Sequence, residues 1–229
     1  MFSLIAPLLL AASVSATSHI HVPRCDISQA KMPIPPNQQT LVEPAHGPSF
    51  IGLAIGTQNY TCKDGTYTNV GAVAELFDVS CLLGSPEFPH LQDIAYDAWK
   101  FAPASEPGTI QSIISGLSKY YASFVLGEHY FVPNPSGTGL SPVWDFRHSF
   151  PDNHNALVLA EKVGGIPAPT GPPDVDWLSL KSVSGDLATQ VFRTDTVGGS
   201  PPESKCSSGA LDITVKYSSM YYLFGTKVQ

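Results

Sequence analysis

The chain has 229 residues, a formal net charge of −7 and only 14 % charged residues, with 21 Pro and 19 Gly. Few charges and many turn formers suit a β-rich extracellular protein better than a helical cytosolic one. The acidic balance argues against nucleic acid or an anionic membrane as partner, because both need a basic footprint.

Met1–Ala16 carries no charge, is almost entirely apolar over Leu4–Ala12, and ends on Val14-Ser15-Ala16, small residues of the kind a signal peptidase reads. It is expected to be a secretory signal peptide spanning 1–16, too short to cross a membrane. Residues 17–48 are rich in Pro, His, Gln and Ser and read as an extended N-terminal arm pinned by Cys25. Residues 49–229 read as a single β-rich domain. Phe50–Cys62 is predicted as a strand, with Ile51, Leu53 and Ile55 on one face and Gly52, Ala54 and Gly56 leaving the other thin. The apolar parity then shifts to Tyr60 and Cys62, which predicts a bulge or bend. Lys63-Asp64-Gly65 signals a hairpin turn into a second strand and a following extended piece over Thr66–Cys81. The period changes next. Phe88–Phe101 reads as a short helix through Leu91, Ala95 and Trp99. Thr109–Phe124 reads as a second helix, with Ile110, Ile113, Ile114, Leu117, Tyr120, Tyr121 and Phe124 in one stripe. Together they form a two-helix insertion at about 88–124. Strands are predicted again at His129–Val132, Val143–Phe146 and Leu157–Lys162. A hairpin of Asp176–Val183 and Leu187–Thr196 follows, and a last strand carries Leu211, Ile213, Val215, Tyr217, Tyr221 and Leu223 on one face. The expected fold is all-β, an antiparallel sandwich or barrel of about eight strands with that helical insertion.

Cys25, Cys62, Cys81 and Cys206 are an even set in a chain read as secreted, so two disulfides are expected, with three connectivities open. Their spacing fits no zinc pattern. Asn59-Tyr60-Thr61 is an acceptable glycosylation sequon. No dinucleotide cradle, phosphate loop, H-E-x-x-H or G-x-S-x-G is present in the sequence. No cofactor is therefore expected, and no metal. His148 and His154, with Asp145 and Asp152 nearby, read as a solvated loop.

Three polar residues stand among apolar neighbours. His129 begins a strand, Asp145 lies between Trp144 and Phe146, and Arg193 shares a strand face with Val191. Were all three to point inward, His129 would act as acid or base, Asp145 would orient it and Arg193 would bind an anionic group. The competing reading is that His129 satisfies a backbone group and that Arg193 pairs with Asp195 or Asp145 to fix the sheet. Glu75, within Val73-Ala74-Glu75-Leu76-Phe77, is a carboxylate in an apolar strand with scope for a raised pKa.

Gly56–Cys62, Gly71–Asp78, Gly127–Phe131, Val175–Leu180, Thr189–Gly199 and Val215–Tyr222 together resemble the fungal branch of a secreted family catalogued as a domain of unknown function, DUF3455. The resemblance covers about residues 33–224. It carries no established activity. Members are sometimes labelled malate dehydrogenase, and the missing nucleotide-binding fingerprint gives that label no support here. The resemblance implies a Cys62–Cys206 bridge, leaving Cys25–Cys81. It marks His129 and Arg193 as matching the family pattern, and His148 and His154 as lying outside it. The leading expectation is a secreted protein, extracellular or in the cell wall, that binds a small apolar or carbohydrate-like ligand or a cell-wall component in a β-lined pocket. A cell-surface or host-interaction protein ranks second, and a cofactor-free hydrolase or isomerase using His129, Asp145 and Arg193 ranks third.

Overall fold

The computed structural model describes residues 25–101 and 124–228. Eight strands follow one another around a closed barrel: β1 Phe50–Lys63, β2 Thr66–Asp78, β3 Val125–Pro133, β4 Leu140–Asp145, β5 Leu157–Ile166, β6 Trp177–Ser184, β7 Gln190–Gly198 and β8 Ile213–Phe224. Every neighbouring pair is antiparallel, and β8 closes on β1 from Phe50↔Leu223 to Tyr60↔Ile213. Closure leaves no exposed sheet edge. Of the two architectures the sequence allowed, this is the barrel.

One helix, α1 Leu91–Lys100, stands among the described residues, preceded by 3₁₀ turns at Ser80–Leu82 and Phe88–His90. The expected two-helix insertion is therefore supported only in its first member. All of the second expected helix except Phe124 lies outside the described residues, as does the signal peptide. Among the described residues no helix is long and apolar enough to cross a membrane.

The expected turn between β1 and β2 forms, with Asp64 at φ 51° and Gly65 at φ 77°. Two successive positive φ values make a type I′ turn, whose twist matches that of the flanking strands. The expected irregularity falls on the other strand. β1 keeps unbroken register with β8, while on β2 Asn59 faces Gly71 and Tyr60 faces Asn69. Val70 is thus the extra residue. Gly71 takes φ +122°, and a Cβ there would meet the Phe131 ring at 3.1 Å.

Both faces of the barrel wall are apolar over part of its circumference. The inner face carries Phe50, Ala54, Ala74, Leu76, Trp144, Phe146, Val191, Tyr217, Tyr221 and Leu223 in one cluster. The outer face of β1, β7 and β8 carries Ile51, Leu53, Phe192, Met220, Tyr222 and Phe224 in a second cluster, covered by Ile27, Ala30 and Met32 of the arm and by Ala95 of α1. Helix α1 docks through Trp99, whose Nε1–H donates to Gly56 O at 2.9 Å. Lys216 Nζ donates to Trp99 O at 2.9 Å, satisfying a carbonyl at the helix C-terminus. Cys25–Cys81 ties the arm to the first 3₁₀ turn, and Cys62–Cys206 ties the tip of β1 to the β7–β8 loop, the pairing that the family resemblance implied.

In an up-and-down barrel the odd-to-even connections all lie at one end. The opposite end is closed by aromatic packing, with Phe50 edge-on to Phe146 at 5.3 Å and to Phe150 at 6.0 Å. The end bearing the β1–β2, β3–β4, β5–β6 and β7–β8 loops holds the cavity.

Candidate functional site: a one-ended pocket in the barrel

An eight-stranded barrel has an interior just wide enough for side chains to fill. Small residues here leave part of it unfilled. A cavity of about 460 Å³ opens at the loop end, with Ala160 in its wall beside Trp144, Phe131, Leu178, Leu180 and Tyr221. That volume is in the range of small-molecule sites, which favour barrel mouths. Polar groups in its wall include Gln58 and Tyr60 of β1, Asn69 of β2, His129 of β3, Lys162 of β5, Arg193 of β7 and Asp176 before β6.

His129 is 2 % exposed. Its Nδ1 lies 2.8 Å from Val143 O. A carbonyl can only accept, so Nδ1 carries the proton and Nε2 is the acceptor nitrogen of a neutral ring. The ring stacks on Trp144, centroids 4.4 Å apart. Burial lowers the His129 pKa to about 3, the Val143 bond opposes that shift, and the Arg193 charge adds to it. The imidazole is neutral at any physiological pH.

Arg193 is 8 % exposed. Nε and Nη2 both donate to Asp176 O, at 3.1 and 2.8 Å. Among the described residues no carboxylate lies within ion-pair distance of it. The backbone carbonyl that holds it belongs to a fastened segment. Val175 N–H donates to Gly198 O at 3.0 Å, and Thr196 Oγ1–H donates to Val175 O. Tyr60 fixes the other rim, its hydroxyl donating to Gly199 O at 2.7 Å. Trp144 Nε1 is buried and has no acceptor among the described residues.

His129 and Arg193 thus line one pocket, and Asp145 does not. His129 pairs with Trp144 across β3 and β4, and Asp145 pairs with Glu128. Adjacent strand positions face opposite ways, so Asp145 sits on the outer surface. There it accepts from Arg147 Nε and from the Tyr130 hydroxyl, each at 2.9 Å. Burial alone raises its pKa, but the bonds from Arg147 and Tyr130 hold the carboxyl below the usual range. The arrangement in which Asp145 orients His129 is absent, as is an Arg193 pair with Asp145 or Asp195.

Sequence reasoning singled out neither Gln58 nor Tyr60 as a site residue and treated Trp144 only as a neighbour of Asp145. The available signal was parity. Gln58 and Tyr60 continue the Gly52–Ala54–Gly56 face, and that thin face is the barrel interior.

Elsewhere, Glu75 is buried on the outer face, opposite Glu128. Burial, aided by the Glu128 charge, raises its pKa to about 7. His148 and His154 are exposed in the β4–β5 loop at the closed end, and among the described residues no three metal-ligating side chains gather. Asn59 lies half-buried on the outer face of β1 and accepts from Thr57 Oγ1 at 3.3 Å.

The geometry can be set beside known proteins. The chain belongs to the DUF3455 family, a protein family of unknown function. The family model matches residues 44–225, from just before β1 to just past β8. The match thus takes in all eight strands and α1, and membership brings no activity with it. No curated protein and no solved structure matches the chain.

Proposed function

We propose that this member of the family is a secreted barrel that binds one small molecule in its mouth pocket. The observation that carries the reading is the one-ended cavity of about 460 Å³, apolar at its walls and polar at a few fixed points. The two disulfides accord with an oxidising, extracellular setting. Binding is favoured over catalysis because the groups proposed for proton transfer do not assemble. His129 Nδ1 is engaged by Val143, and Asp145 faces the other side of the wall. The surface-interaction alternative rests on the apolar stripe on 109–124, all of which except Phe124 lies outside the described residues.

Native mass spectrometry of the protein purified gently from culture medium, followed by a thermal-shift screen against a small-molecule library, tests the reading. A co-purifying compound or a saturable shift is expected in the wild type. Both should be lost in Ala160→Phe, which places a ring in the cavity. A bare polypeptide with no shift from any compound would overturn it.

A further inference from the structure

We infer that the pocket's ligand is a monoanionic organic acid, its carboxylate seated on the free end of the Arg193 guanidinium and its apolar body lying against Trp144, Phe131 and Leu178. This inference rests on the small-molecule reading above and adds the chemical class.

A guanidinium presents five N–H donors in a planar fork. In Arg193, Nε–H and one Nη2–H converge on a single acceptor, Asp176 O. That bond fixes the plane of the group and occupies one side edge. Both Nη1 hydrogens and the second Nη2 hydrogen remain. The end-on edge formed by Nη1 and Nη2 is the parallel pair that a carboxylate accepts in bidentate fashion. Burying a cation costs several kcal/mol unless a charge or a full set of acceptors compensates it. Arg193 is 8 % exposed, and among the described residues it has one backbone carbonyl and no carboxylate. It also lines the cavity. A ligand carboxylate supplies what the protein leaves out.

The rest of the wall narrows the class. His129 is neutral and adds no second buried positive charge. Glu161, at the rim, is tied to Lys181 at 2.9 Å. Asp176 stands exposed at the mouth and disfavours extra negative charge. Lys162 also lines the pocket but is exposed, so Arg193 is its buried cation. With acidic Asp176 beside it, that matches a monoanion better than a phosphate dianion. Trp144, Phe131 and Leu178 offer apolar contact for a flat or aliphatic body.

The test compares matched pairs on the intact, disulfide-bonded chain: cinnamate, 3-phenylpropanoate and hexanoate, each beside its primary amide, with phenyl phosphate as a dianion. Affinities are read by isothermal titration at pH 7. The acids are expected to bind at least tenfold more tightly than their amides. Arg193→Met is expected to remove that preference by weakening the acids and leaving the amides nearly unchanged. Arg193→Lys, which keeps the charge but not the fork, should fall between. Circular dichroism checks that the variants fold, and the wild-type comparison stands without them. Amides that bind as well as acids, and are excluded by Ala160→Phe, would overturn the anion assignment while leaving the pocket reading intact. Tighter binding of phenyl phosphate would overturn the carboxylate assignment. Binding by neither series would overturn this inference, while the library screen decides the pocket reading separately.

Discussion

His129 faces Trp144 across the β3–β4 ladder, and Asp145 is the next residue along. That single step sends the carboxylate to the far side of the wall. Burial also sets the pH behaviour of individual residues. The His129 pKa falls from 6.5 to about 3, so the unfolded chain takes up a proton that the folded one refuses. Its contribution to stability is present above pH 6.5 and is lost as the pH falls. Glu75 acts in the opposite sense. Its pKa rises from 4.5 to about 7, so the folded state holds the extra proton between those values. Stability from this group is present below pH 4.5 and is lost as the pH rises to about 7. Glu75→Gln should therefore leave stability nearly unchanged at pH 4 and raise it by about 1–2 kcal/mol at pH 8. Urea denaturation of both proteins at the two pH values checks this. An equal gain at both would show that Glu75 is not held protonated.

At the scale of elements, the outer face of β1, β7 and β8 behaves as a second core. An antiparallel wall ordinarily leaves one face to solvent. Here Phe192, Met220, Tyr222 and Phe224 point outward and remain buried, because the arm and α1 lie over them. The arm has no regular structure of its own from residue 25 to the start of β1, so side-chain burial and the Cys25–Cys81 bond hold it. Phe192 is 1 % exposed and packs edge-on to Phe224 at 5.6 Å. Phe192→Ala should cost about 3–5 kcal/mol in equilibrium unfolding. Because the residue points away from the cavity, ligand affinity should be unchanged at temperatures where the variant is folded. A loss below 1 kcal/mol would mean that the arm and helix do not seal this face.

Across the whole molecule, the two disulfides do different work. Cys25–Cys81 fastens the covering layer. Cys62–Cys206 spans a sequence separation of 144 and joins the first strand to the last loop at the pocket mouth. On the chain-entropy model, a loop of that length stabilises the fold by about 5 kcal/mol. Replacing both residues with Ser should lower stability by about 4–5 kcal/mol in guanidinium titrations. Removing the Cys25–Cys81 pair, with a sequence separation of 56, should cost about 0.8 kcal/mol less. The reverse order would place the weight on the arm rather than on barrel closure.

The eight strands, the Asp64–Gly65 turn and the α1 stripe were legible in the sequence. Each is a local pattern: period-two alternation, a turn that requires positive φ, and the i, i+4, i+8 spacing of Leu91, Ala95 and Trp99. That Val191 and Arg193 share one strand face, and Tyr217, Tyr221 and Leu223 another, was legible for the same reason. Alternation does not say which face of a strand is the inside. The bulky face of β1, Ile51–Leu53–Ile55, turned outward under the arm, and the thin glycine–alanine face lined the barrel. Nor does a local pattern close a sheet or fix register between strands. The pairing of His129 with Trp144 rather than with Asp145 was decided by cross-strand register. So was the approach of Asp176 O to Arg193, 17 residues away in sequence. The sequence by itself determined the elements and the residue types capable of chemistry. Only the tertiary structure decided which of them share a cavity, because that depends on long-range pairing and packing, not on the order of the chain.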